Sequence, residues 1–240
     1  MIKLAGCIIK NSQLLVQDLG IGKTTLALQI AQKIAQNKNV LFVSLEMSEV
    51  QLIQKILARR GNINSYRMRK GNLDDNDFKK IVEVSNDLFK LNLNINTKIR
   101  NVLQLETIAR KLKNANKLDL IIIDYIQLLK SDGKFNNREQ EVADISRRLK
   151  ILSLELNVPV IALCQLNRNA NNGEPTLADL RESGSLEQDA DNILFLYHES
   201  EQDVENSLIT IKLAKQRAGD IGKMKVKFNK QTSMFVNLIK

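Results

Sequence analysis

The run Leu118 to Ile123, with three consecutive isoleucines and only Asp119 to interrupt it, constrains this chain more than any other segment. A strand that buries one face alternates apolar and polar residues. One that is apolar at successive positions is buried on both faces, as parallel strands between helix layers are. Val158 to Cys164 repeats the pattern. Neither run approaches the ~20 apolar residues that cross a bilayer, so no membrane span is expected.

Helical patterns separate these strands. Gln13 to Val16 reads as a strand, Gly20 to Gly22 as a loop, and Thr25 to Gln36 as a helix whose Leu26, Ile30 and Ile34 recur every four residues. Val40 to Ser44 reads as a buried strand, followed by a helix over Val50 to Arg60 and another from Asn72–Asp75 to Phe89 with Phe78, Val82 and Phe89 as its apolar positions. Leu91 to Ile95 reads as a short strand, Val102 to Leu112 as a helix, and Arg138 to Leu156 as a long helix. Asn167 to Glu187, rich in Asn, Gly, Glu and Arg, reads as an exposed loop region. Four strand-like segments close the chain at Ile193–Tyr197, Leu208–Leu213, Met224–Phe228 and Met234–Leu238, with connections short enough for hairpins. The expected fold class is α/β: a mostly parallel central sheet flanked by helices, with an antiparallel C-terminal edge.

The 240 residues carry no repeat and only two prolines, so a single domain over 1–240 is expected. Two cysteines and one histidine are too few for a disulfide framework or a His-rich metal site. Cys164 reads as a small buried hydrophobe and His198 as structural. Met1 to Lys10 lacks a signal-peptide pattern, which makes an intracellular address the expectation. Of the net charge of +9, most sits in residues 211–240, where eight cations face Asp220 alone, or +7. Such a patch attracts a polyanion or simply forms a solvated basic face.

The chemistry is concentrated at strand ends. Gly20-Ile21-Gly22-Lys23-Thr24-Thr25, between a strand and an amphipathic helix, reads as a phosphate loop. Its glycines turn amides toward a phosphate, the helix N-terminus adds positive potential, Lys23 reaches the terminal phosphates and Thr24 ligates magnesium. The full pattern wants a glycine where Gln17 stands. Asp124, ending the most apolar strand, is the second partner for magnesium, since open parallel sheets place ligands at their carboxyl edge. Glu46, just past Val40–Ser44, either polarises the attacking water or caps the next helix. Gln165 is placed to sense a terminal phosphate or is an ordinary polar residue leaving its strand. Arg181, with Glu182 and Gly184 in a polar loop, suits a sugar-phosphate backbone or a plain surface loop. Lys215 and Arg217 follow an apolar strand, where cations could project into a neighbour's nucleotide site.

Five blocks, Ser44-Leu45-Glu46-Met47-Ser48, Ile123-Asp124-Tyr125-Ile126-Gln127-Leu128, Asn157 to Leu163, Asp179 to Asp191 and Ala214-Lys215-Gln216-Arg217, stand in the order of the motor-domain motifs of DnaB-type replicative DNA helicases, which the chain resembles from about residue 13 onward. The resemblance implies a RecA-like P-loop ATPase that uses ATP and Mg2+, forms a homo-hexamer around single-stranded DNA, and works with a primase and a helicase loader. It implies a cytoplasmic, nucleoid-associated or organellar-stroma address. It makes Lys23 and Thr24 ligands of triphosphate and magnesium, Glu46 the catalytic base, Asp124 the magnesium carboxylate and Gln165 the coupling residue. Arg181, Glu182 and Gly184 match the loop on DNA phosphates, and Lys215 and Arg217 the cations given in trans to the adjacent subunit's nucleotide.

The chain departs from the family pattern at several points. Gln17 replaces a small residue, Asp18-Leu19 an Arg-Pro pair and Lys55 an arginine, and only Met1 to Ser12 precede the first strand, where the family has an N-terminal domain and a linker helix. Two other readings follow: a RecA-fold ATPase that assembles on DNA without unwinding, and a degenerate ring subunit that binds DNA without hydrolysis.

Overall fold

A computed structural model describes residues 12–17, 21–166 and 174–238, with the backbone alone for 12–17 and 181–183. Among the described residues, nine strands form one sheet: β1 (Ser12–Gln17), β2 (Val40–Ser44), β3 (Leu93–Asn96), β4 (Leu120–Asp124), β5 (Val160–Gln165), β6 (Asn192–Tyr197), β7 (Leu208–Gln216), β8 (Gly222–Asn229) and β9 (Met234–Asn237), in the order β3-β2-β4-β5-β1-β6-β7-β8-β9. The first six are mutually parallel, and β7, β8 and β9 continue as antiparallel hairpins.

Successive residues of the buried strands feed opposite faces, because side chains alternate along a strand. Leu120 and Ile122 join Val40, Phe42, Ile161 and Leu163 in a core that also takes Leu26 and Leu28 of α1 (Lys23–Ile34) and Leu52 and Ile56 of α2 (Glu49–Arg60). Ile121 and Ile123 join Leu41, Val43, Val160 and Ala162 beneath α5 (Val102–Asn114) and α6 (Arg138–Leu156). Between α2 and α5 lie α3 (Ser65–Lys70) and α4 (Asp75–Leu88); α7 (Gly184–Asp189) and α8 (Glu201–Glu205) flank β6. Both faces of the parallel sheet are therefore covered, as the unbroken apolar runs require. No described helix is long and apolar enough to cross a membrane.

Two segments differ from expectation, and a third gains detail. The stretch read as a loop up to Glu187 is helical from Leu177: a 3-10 turn at Leu177–Ser183 runs into α7. The turn starts with a capping box, in which Thr176 N donates to Asp179 Oδ2 at 2.7 Å, so local capping overrides the polar composition. On α4, Phe78, Val82 and Phe89 are exposed, at 55%, 60% and 89%. The packing side is the neighbouring one: Asp77 is buried, while Ile81 and Leu88 meet the cores. The basic C-terminal excess is not an open field. Lys212 and Lys223 pair with Glu174 at 2.7 and 2.5 Å, and Lys225 pairs with Glu199 and Asp203 at 2.8 and 2.9 Å. The two lysines draw the Glu174 carboxyl down to about 2.

Cys164 is buried, its thiol pushed up to about 12 by desolvation, and His198 Nδ1 meets Leu208 O at 2.6 Å, so both residues are structural.

Candidate active site

The parallel strands deliver their last residues to one edge, and register sets which residues meet. Ser44 lies beside Asp124 across β2 and β4, and Gln165 beside Gln17 across β5 and β1. The chain leaving β1 turns into α1 through Gly22, whose φ of 101° is left-handed, and a Cβ there would lie 3.3 Å from the Phe228 ring. Glycine is the residue that this turn and this close approach admit. The first turn of α1 holds no acid, and its amides keep their positive end for an anion. Gly20, expected to bind phosphate, lies outside the described residues, as do Asp18 and Leu19.

Asp124 is the centre of the site. Its side chain is fully buried, and neither carboxylate oxygen meets a hydrogen-bond partner at normal geometry among the described residues, although the Thr24 hydroxyl stands close enough to favour the charged form. Burial pushes its pKa up to about 6. The Thr24 hydroxyl and the Lys23 and Lys55 ammonium groups draw it back, and the Glu46 charge raises it. A buried carboxylate with two uncommitted oxygens beside a threonine hydroxyl is the hard oxygen donor set that magnesium takes, and these residues fit that ion. Lys23 rests with Nζ 3.8 Å from the centre of the Tyr125 ring, a cation–π contact that holds the ammonium near the carboxylate. Thr24 and Thr25 are buried on the first turn of α1.

Glu46 is exposed two residues past β2. Its loop is fixed: Leu45 N donates to Asp124 O at 2.7 Å, and Ser44 Oγ donates to Met47 O at 2.9 Å. The helix cap belongs to Ser48, which accepts from Gln51 N at 3.3 Å. That leaves Glu46 free of the capping role and at the carboxyl edge, where its charge reaches both Asp124 and Tyr125.

A cavity of about 320 Å³ adjoins the start of α1, lined by Gly22 and Thr25, by Lys55 of α2, by Arg69 of α3 and by Phe228 and Lys230 of the β8–β9 hairpin. Its wall is preformed, since Ser65 N donates to Gln231 O at 2.7 Å. Burial, then Arg69, lowers the Lys55 pKa. A lysine at this position is thus a desolvated point charge beside a second cation, ready for an anion. Neither Arg69 nor Tyr125 was singled out by sequence reasoning; only proximity to Asp124 in the chain marks Tyr125, and nothing local marks Arg69.

The other expected residues are placed differently. Gln165 ends β5, half-buried, with its backbone held by Gln127. Lys215 ends β7 next to Gln216, and Arg217 follows the strand. Both turn to their own chain's α7: Lys215 Nζ donates to Glu187 O, and Arg217 Nη2 donates to Gln188 O at 2.6 Å. Arg217 also pairs with Asp191 at 3.4 Å. The structure does not bring these two cations to Lys23 or Asp124 of the same chain. Arg181 and Glu182 lie in the 3-10 turn, and Gly184 opens α7 with open space around it.

Known proteins resemble this chain in sequence and in fold. Residues 9–237 match the model of the DnaB-like helicase C terminal domain. The replicative DNA helicase DnaB of Geobacillus stearothermophilus is 43% identical over 228 residues, covering 91% of this chain and 50% of that protein, and the Bacillus subtilis replicative DNA helicase DnaC is 41% identical over 228 residues with the same coverage. This chain spans about half the length of those relatives. Among solved structures, one described as an ATPase domain superposes with a TM-score of 0.88 at 32% identity, covering 96% of this chain and 86% of that one. A DnaB-like replicative helicase, from a study of its interactions with primase, superposes at 0.89 and 34% identity, covering 95% of this chain and 57% of that one. With its matched residues running nearly end to end, the chain belongs to the DnaB-like helicase C-terminal domain family.

Proposed function

We propose that residues 1–240 form a single ATP-hydrolysing motor that moves along single-stranded DNA and unwinds duplex as a homo-hexamer. The observation that carries this reading is the Asp124 carboxylate, buried with both oxygens unpartnered among the described residues, beside Thr24, Lys23 and Glu46. Magnesium there would neutralise charge on the transferred phosphoryl group. Thr24 and Asp124 hold that ion, Lys23 leaves the Tyr125 face for the terminal phosphates, and Glu46 takes the proton from the attacking water. Gln165 relays the state of the phosphate, while Arg181, Glu182 and Gly184 meet DNA phosphates. Lys215 and Arg217 complete the neighbour's site. The same reading makes a primase and a helicase loader partners, and places the motor with the nucleoid in the cytoplasm or in an organellar stroma.

The test is phosphate release with and without oligo-dT, alongside unwinding of a forked duplex. Release stimulated by DNA together with unwinding is expected. Stimulated release without unwinding indicates assembly on DNA alone, and no release indicates a non-hydrolysing subunit. Lys23→Ala is expected to reduce turnover below detection while the melting temperature stays within about 2 °C, because a half-exposed lysine contributes little to the fold; retained turnover would remove the phosphate-loop assignment. Arg181→Ala is expected to weaken oligo-dT binding without sequence preference and to lower the salt slope by about 0.7, the loss of one single-strand phosphate contact. An unchanged slope takes Arg181 off the DNA path.

A further inference from the structure

β4 leaves the sheet at Asp124, and its pairing with β5 ends at Ile123 opposite Ala162. The next residues of β5 on that side, Cys164 and Gln165, therefore have no strand to pair with. The side chain of Gln127, in the 3-10 turn Ile126–Leu128, takes the strand's place. Its Nε2 donates to Gln165 O at 3.0 Å and to Cys164 Sγ at 2.8 Å, and its Oε1 accepts from Gln165 N at 3.3 Å. A primary amide is the side chain that satisfies an N–H and a C=O of one residue together, as a neighbouring strand would.

The turn itself is anchored. Arg138, at the start of α6, donates through Nη2 to Gln127 O at 2.6 Å and Leu129 O at 2.8 Å, and pairs with Glu141. Five residues, 124 to 128, thus carry the buried carboxylate, the Tyr125 ring under Lys23 and the amide on Gln165. A displacement of Asp124 or Lys23 when the terminal phosphate changes has a short route along this turn to the end of β5, with little slack where Ile126 is buried and Arg138 holds the carbonyls of Gln127 and Leu129.

We propose that Gln127 is a positioning residue that ties Gln165 to the turn carrying Asp124, so that the state of the nucleotide reaches β5 through this one amide. The inference rests on the reading of Gln165 as the coupling residue. In this reading Gln127 acts by holding the end of β5 through Gln165 and supplies no group to nucleotide or DNA.

The test compares wild type, Gln127→Leu, Gln165→Ala and the double variant for ATP KM, basal kcat, and the ratio of oligo-dT-stimulated to basal kcat. Gln127→Leu is expected to leave KM and basal kcat within about twofold and to cut the stimulation ratio about tenfold, in the range of ordinary coupling between sites. The double variant is expected to be no worse than Gln165→Ala, because both substitutions cut the same connection. A Gln127→Leu chain that melts earlier yet keeps its stimulation ratio, or a double variant whose losses multiply, overturns the proposal. Should Gln127→Leu not fold, Gln127→Glu, which keeps the size and removes the donor, is read by the same criteria. If Gln165→Ala or the wild type itself shows no coupling, the Gln165 reading fails and this inference with it; loss in Gln165→Ala but not in either Gln127 variant overturns the inference alone.

Discussion

Asp124→Asn is expected to raise the melting temperature of the metal-free chain at pH 7.5 while removing magnesium-dependent hydrolysis. The folded carboxyl titrates near 6 against an ordinary 3.8, and the largest cause is burial. Its pKa is raised, so between those values the folded state holds a proton that the unfolded state has lost. Stability therefore falls as pH rises through that window and is lowest, for this group, above about 6. A rise from 3.8 to about 6 corresponds to a ceiling of roughly 3 kcal/mol.

The amide that replaces the carboxylate is itself unpaired, which reduces the expected gain to about 2 kcal/mol, or roughly 4–8 °C for a chain of this size. Thermal melts from pH 4.5 to 8, with and without magnesium chloride, check the argument. The wild type is expected to lose stability with rising pH in metal-free buffer and to recover it with magnesium, and the Asp124→Asn variant to do neither. A variant less stable than wild type at pH 7.5 without metal would show that the carboxylate is already satisfied in the fold, and the magnesium assignment would lose its support.

How far the sequence reached follows from what fixes each element. Parallel strands buried on both faces announce themselves by unbroken apolarity and stop at the first polar residue, so Val40–Ser44 was legible to the residue and Asp124 stood out at a strand end; the helix Arg138–Leu156 was legible from its apolar spacing of three and four. Helices whose formation rests on caps were not. α3 starts on Asn64, which accepts from Tyr66 N at 2.9 Å, and its six residues show too little periodicity to register. On α4 the apolar residues that drew notice, Phe78 and Val82, lie one position away from the face that packs, because Asp77 is buried as half of a capping box.

The placement of Lys23, Thr24, Glu46 and Asp124 at one edge was legible because each ends or follows a strand, and parallel register brings such ends together. Gln127 was not. It lies in the block Ile123 to Leu128, yet its contact with Gln165 exists only because β4 stops pairing at Ile123 opposite Ala162 while β5 runs on to Gln165. The partners of the C-terminal charges were not legible for a related reason: Glu174, Glu199 and Asp203, distant in sequence, fold onto Lys212, Lys223 and Lys225.

Arg217→Ala is expected to lower kcat by about a thousandfold, the lower end of what an arginine on a transferring phosphoryl group contributes, with nucleotide affinity at Lys23 changed little. Within its own chain Arg217 is bound to Gln188 O and Asp191, and Lys215 to Glu187 O. These contacts fix the α7 end nearest β6. They also mean that Arg217 must exchange Asp191 for a phosphate when it serves a neighbour, an exchange between anions that costs little when the incoming one carries more charge. Mixing subunits separates this role from a merely structural one. Chains carrying Glu46→Gln and chains carrying Arg217→Ala are each expected to be nearly inactive alone. Mixed equally, about a quarter of the interfaces join an intact Glu46 from one chain to an intact Arg217 from the next, as a head-to-tail ring requires. Activity is expected to appear on mixing and to peak near equal proportions. If both groups served the nucleotide of their own chain, no interface in any mixture would be whole, and a preparation inactive at every ratio would return Arg217 to the role its contacts with α7 already describe.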